Sequence, residues 1–190
     1  DAYTGGPIVK LAIQLAPHVA LRPVELRQGQ WSEIDWEAKI WRIPAERTKL
    51  RRPHSVPLSR QAVALLRDLE QHSGGFDLMF PGLRSHKRPM SENTMNATYR
   101  RLGFDGDTVT SHGLRSTAST LLNESGKWHA DAIERALAHG HSDAVRGVYA
   151  RGQHWEERVE MAQWWSDYLD GLRAGGQILP FTSRDSCQRT

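Results

Sequence analysis

The sequence predicts a mainly α-helical domain carrying one small antiparallel β-sheet, an α+β fold. Three observations predict it. Apolar residues recur at helical spacing through much of the chain, in stretches bounded by capping residues, prolines and glycines. Between Trp31 and Pro57 that pattern gives way to short extended runs separated by polar, turn-prone residues. At 190 residues, with 38% hydrophobic and 25% charged residues, the chain has the size and composition of one soluble domain.

Taken in order, Pro7 to Ala20 is apolar and helix-like, and Pro23 suits the first turn of a helix entered at Arg22. Ile34, Trp36, Ile40, Trp41, Ile43, Val56 and Leu58 mark about three short strands of one sheet. The basic run Arg47, Lys49, Arg51 and Arg52 falls on a hairpin loop between them. Ser59 reads as the N-cap of a helix carrying Val63, Leu66 and Leu69, stopped at Gly74-Gly75. Pro81 to Pro89 reads as a basic loop, and Ser91 to Leu102 as a helix ended by Gly103. Ser111 reads as the cap of a helix running to Gly126. Two short helices, Asp131 to His139 and Asp143 to Tyr149, precede a last helix from about Gln153 to Leu172. Met161, Trp165, Tyr168 and Leu172 share one face of that helix. Residues 174–190 turn polar and irregular, and are expected to be disordered.

Several function classes fall away. No apolar run reaches the length of a membrane span, and no signal peptide precedes the first helix. The single cysteine, Cys187, excludes an internal disulfide framework and gives no metal-site spacing. A cytoplasmic protein is expected. The net charge of +3 says little, but its distribution says more. Arg47 to Arg52 forms one basic cluster, and Arg84, Lys87, Arg88, Arg100 and Arg101 a second. Residues 155–170 carry five acidic residues against a lone Arg158. One face therefore suits phosphates and another repels them.

Chemistry concentrates in the second half. His112 and Arg115, at i and i+3, share a helix face and can hold a tetrahedral oxyanion such as a phosphate. His139 and Tyr149 follow at modest spacing. A tyrosine beside such a site can attack the phosphorus and form a covalent ester. Tyr3, Tyr99 and Tyr168 are its rivals, and the apolar setting of Tyr168 suits packing.

Arg22-Pro23-Val24-Glu25-Leu26 resembles the first arginine box of the tyrosine recombinase (phage integrase) family. Lys49 sits on the hairpin where that family keeps a lysine. His112-Gly113-Leu114-Arg115 resembles its His-x-x-Arg box, and Leu137-Ala138-His139 with Tyr149 its last box and nucleophile. Trp41 to Arg47, Arg51 to His54 and the Trp164-Trp165 helix look particularly like prophage and genomic-island integrases. The similarity covers residues 1–173 and implies that family's catalytic-domain fold.

The resemblance implies Arg22, Lys49, His112, Arg115, His139 and Tyr149 as the reacting set, without cofactor or metal. It implies a 3′-phosphotyrosine, a free 5′-hydroxyl and religation to a partner DNA. The expected partners are double-stranded DNA attachment sites, with accessory DNA-bending proteins. A tetramer is expected on DNA, and weak or no self-association without it. The chain begins at Asp1 rather than methionine, so amino-terminal DNA-binding domains are expected to lie outside it.

The physical chemistry runs alongside. Attack on a phosphodiester builds negative charge, and arginines give paired N–H bonds to phosphoryl oxygens that lysine cannot match. A phenol with a pKa of about 10 becomes a better nucleophile beside positive charge. Lys49 has the reach to protonate the leaving 5′-oxygen, and His112 and His139 suit proton transfer near neutrality. Glu25 reads as the partner that orients Arg22. Arg47, Arg51, Arg52, Arg88 and Arg101 are expected DNA-backbone contacts.

Three competing readings are weighed. His139-Gly140-His141 with a tyrosine suits a metal-dependent relaxase, which leaves both arginine boxes unexplained. A DNA-binding module needs no such reacting set. A type IB topoisomerase shares most of the set but relaxes supercoils as a monomer.

Overall fold

A computed structural model describes residues 3–138 and 154–176. Helix α1 (Pro7–Val19) starts on a proline at its first position and ends at Ala20, whose left-handed backbone closes the helix. Helix α2 (Pro23–Arg27) follows at once. Strands β1 (Ile34–Asp35), β2 (Ile40–Ile43) and β3 (His54–Pro57) form a three-stranded antiparallel sheet in sequence order. In that sheet Trp41 faces Val56 and Ile43 faces His54. Helix α3 (Arg60–Ser73) is capped by Ser59, whose Oγ accepts from the Ala62 amide at 3.2 Å.

Residues 81–89 differ from the loop expected of them. They form a second antiparallel pair, β4 (Pro81–Gly82) and β5 (Ser85–Pro89). The signal was masked because β5 is largely exposed and lacks an apolar alternation. Helix α4 (Thr94–Arg101) begins after a turn at Ser91. Helix α5 (Ser111–Glu124) is capped by Thr110, not Ser111: Thr110 Oγ1 accepts from the Gly113 amide at 2.8 Å. Ser111 instead spends its amide and hydroxyl on Asn96 Oδ1. Helix α6 (Ala130–Ala136) and helix α7 (Trp155–Arg173) complete the described elements. The helix expected over residues 143–149 and the tail from 177 onward lie outside the described residues.

Two apolar clusters organise the molecule. In the first, Leu11 and Leu15 of α1 meet Trp41 and Ile43 of the sheet, Leu66 and Leu69 of α3, and Met95 of α4. Trp41 approaches the backbone so closely that a Cβ on Gly29 would lie 2.5 Å from its ring. The second cluster joins Ala118 and Leu122 of α5, Ile133 of α6, and Met161 and Trp165 of α7. Trp165 Nε1 donates to the Pro17 carbonyl at 2.8 Å, tying α7 to α1. Met161, Trp165 and Tyr168 of the α7 stripe are therefore packed within their own chain. Among the described residues no helix is long and apolar enough to cross a membrane.

Candidate active site

The corner between α1 and α2 lies at the seam of the two clusters. Pro23 favours an extended backbone at Arg22, and Arg22 takes it as the residue before α2. Glu25 then folds back over the helix start. Its carboxylate accepts from the Arg22 amide at 3.3 Å and from Arg22 Nη1 at 3.1 Å. Glu25 is fully buried, so this pairing fixes the guanidinium in one orientation. Arg22 Nη2 donates to the Ala138 carbonyl at 2.9 Å.

Arg115 reaches the same corner from α5. Its Nη1 donates to the Ala20 carbonyl at 2.8 Å, at the C-terminal end of α1, where the helix dipole favours a cation. Arg115 is only 3% exposed, and its Nη2 has no hydrogen-bond partner among the described residues. Burial, then the neighbouring charge of Arg22, pull its pKa down to about 10, while Glu25 and Glu134 oppose the shift. Two guanidiniums are thus held close enough to repel, a balance that an anion would relieve.

Two further groups join them. His54, on β3, is buried, and its ring nitrogens make no close, well-aligned hydrogen bond among the described residues, with the Ala136 backbone as the nearest polar partner. Burial chiefly, then the charges of Arg158 and Arg115, hold its pKa down to about 3, with a smaller effect from Arg22. Arg158 of α7 donates to the Ser55 carbonyl, and burial lowers its own pKa to about 10. Sequence reasoning gave neither residue a role. The alternation of His54 with Val56 along β3 was the available signal, since alternate strand positions share a face.

The other expected site residues separate into groups. His112 is exposed while Arg115, one turn on, is buried. Lys49, Arg51 and Arg52 are exposed on the β2–β3 hairpin, as are Arg88 on β5 and Arg101 at the end of α4. Arg47 departs from its expected place among the DNA contacts. Its Nε and Nη2 each lie 2.6 Å from Glu33 oxygens, and Nη1 donates to the Glu25 carbonyl. Those bonds make it an internal brace of the hairpin. His139, His141 and Tyr149 lie outside the described residues. Of Tyr149's rivals, Tyr99 is buried, and burial pushes its pKa up to about 12, the opposite of activation. Tyr168 stacks on Trp164 with centroids 5.7 Å apart.

Comparison with known proteins places this geometry. Residues 7–154 match the model of the phage integrase family. The integrase of Enterobacteria phage P4 is 43% identical over 183 residues, covering 89% of this chain and 42% of its own. The chain thus spans less than half the length of that curated relative. Among solved structures, an integrase from mycobacterium phage Brujita superposes with a TM-score of 0.63 at 18% identity, over 85% of this chain and 53% of that one. A lambda integrase dimer bound to a core site gives 0.55 at 21% identity, over 74% of this chain and 52% of that one. At those identities the structures show the shared fold.

Proposed function

This chain belongs to the phage integrase family, and from that premise we propose that it is the catalytic part of a site-specific DNA recombinase. The observation that carries the reading is the corner where Arg22 and Arg115 converge, braced by Glu25 and by backbone carbonyls. Each guanidinium presents N–H donors to non-bridging oxygens of a DNA phosphodiester. Together they neutralise the charge that builds at the pentacoordinate phosphorus.

In this reading Tyr149 Oη attacks the phosphorus, the bond to the 5′-oxygen breaks, and a 3′-phosphotyrosine forms. Lys49 delivers a proton to the departing 5′-oxygen, while His112 and His139 assist at the phosphoryl oxygens or accept the phenolic proton. The ester retains the bond energy, so a 5′-hydroxyl from a partner DNA reverses the step and seals the exchanged strand. The exposed Arg51, Arg52, Arg88 and Arg101 contact the DNA backbone. The core site to which the lambda integrase dimer is bound supports DNA attachment sites as the partner. Four chains act on DNA, and the chain self-associates weakly or not at all without it.

Incubation with a nicked suicide duplex in EDTA tests the reading. A covalent adduct through the 3′-phosphate, absent in Tyr149→Phe, is the expected result. An adduct that needs Mg²⁺ or Mn²⁺ and runs through a 5′-phosphate would point to relaxase chemistry. DNA binding with no adduct would reduce the chain to a binding module.

A further inference from the structure

We propose that His129, Asp131 and His154 form a binding site for a divalent transition-metal ion of the zinc type, stapling α6 to α7. The three side chains offer ligand atoms that all lie within 4.8 Å of one another. They come from two places in the chain, the start of α6 and the residue before α7. His129 and Asp131 are two residues apart, but His154 joins them only through the fold.

The surroundings are arranged as a ligand set requires. His154 Nδ1 lies 2.6 Å from Glu157 Oε2, so the carboxylate holds the proton on that nitrogen and leaves the Nε2 lone pair free. The second oxygen of Glu157 accepts from the His129 amide at 2.6 Å. One carboxylate therefore positions both histidines. Their rings stack with centroids 4.8 Å apart and planes 21° apart. His154 holds this place with a left-handed backbone, φ 68°, which a histidine adopts only at some cost. His129 Nδ1 accepts from the Asp131 amide at 3.2 Å, so Nε2 is the nitrogen not engaged in that cap. Coordination through Nε2 moves the ring proton to Nδ1, so that capping bond is exchanged for the metal.

Two imidazoles and one carboxylate select the ion class. Magnesium and calcium favour all-oxygen shells, whereas zinc and its neighbours take mixed nitrogen and oxygen ligands. Donors about 2.1 Å from a tetrahedral ion lie about 3.4 Å apart, so the cluster contracts slightly on binding and leaves the fourth position to water. His129 is exposed and Asp131 and His154 half-buried, which gives the ion an entry path. The site shares no residue with the Arg22–Arg115 corner, and the proposed strand cleavage needs no metal.

Cobalt(II) titration of the whole chain, followed by visible absorption, tests the site. One ion per chain with the intense d–d bands of a four-coordinate complex is expected, displaced by an equivalent of zinc. His154→Ala and Asp131→Asn should each abolish the bands, whereas His72→Ala, on α3, should keep them. Asp131→Asn preserves shape, and far-UV circular dichroism checks folding of both variants. Bands that survive in both folded variants, or binding without four-coordinate bands, would overturn the site. Because the adduct assay runs in EDTA, its result is independent of this one.

Discussion

Arg115 and His54 show how burial sets chemistry at single positions. Arg115 is nearly enclosed, with one nitrogen spent on Ala20 and another without a partner among the described residues. Lysine in its place would supply a point charge instead of a planar fork. Arg115→Lys should lower the single-turnover yield of covalent adduct by about 10²–10³-fold while DNA binding persists. His54 gives a pH signature. Its folded pKa of about 3 lies below its ordinary value of 6.5. Below pH 6.5 the unfolded chain therefore takes up a proton that the folded chain refuses. Stability falls by about 1.4 kcal/mol per pH unit as pH drops from there toward the folded value. His54→Leu removes that uptake. Between pH 7 and 5 its stability should fall by about 2 kcal/mol less than the parent's in urea denaturation. Equal losses would exclude His54 as the responsible group.

The β2–β3 hairpin separates residues that look alike in sequence. Arg47, Arg51 and Arg52 read as one basic cluster, yet Arg47 turns inward onto Glu33 and the other two face solvent. Nothing in their spacing distinguishes them, because the deciding partner sits before the strands and meets Arg47 only after folding. Two opposite results are expected. Arg47→Ala leaves a buried carboxylate without its cation and should cost about 3–5 kcal/mol of stability, measured by urea denaturation. Arg51→Ala with Arg52→Ala should leave stability nearly unchanged. That pair should reduce the slope of log affinity against log salt by about 2. The arginine boxes were legible because local chemistry fixes them: Pro23 sets Arg22, and Glu25 lies one turn away to orient it. The β4–β5 pair and the inward role of Arg158 were not, since each depends on distant chain.

At the scale of the molecule, the two clusters meet where Trp165 of α7 reaches Pro17 of α1. Trp165 is 4% exposed, and Trp165→Ala should cost about 3–5 kcal/mol through the cavity it leaves. Met161 and Trp165 are already covered within the chain, so neither is available to drive spontaneous self-assembly. Sedimentation without DNA should show a monomer, and a stable DNA-free tetramer would contradict that. The two-cluster division was hidden from the sequence, where apolar spacing marks helix faces but not which faces meet.

The carbonyl of Ala138 has one further consequence. It occupies one of the two N–H groups on Arg22 Nη2 and so fixes the direction of the other. On the proposed reading, a phosphoryl oxygen accepts from the remaining N–H, along a direction that the carbonyl has already set. A charged acceptor there makes a stronger hydrogen bond than a neutral one, and the exposed arginines of the hairpin would add backbone contacts that a free phosphate lacks. On that reading the corner is oriented before a phosphate arrives, not by its arrival.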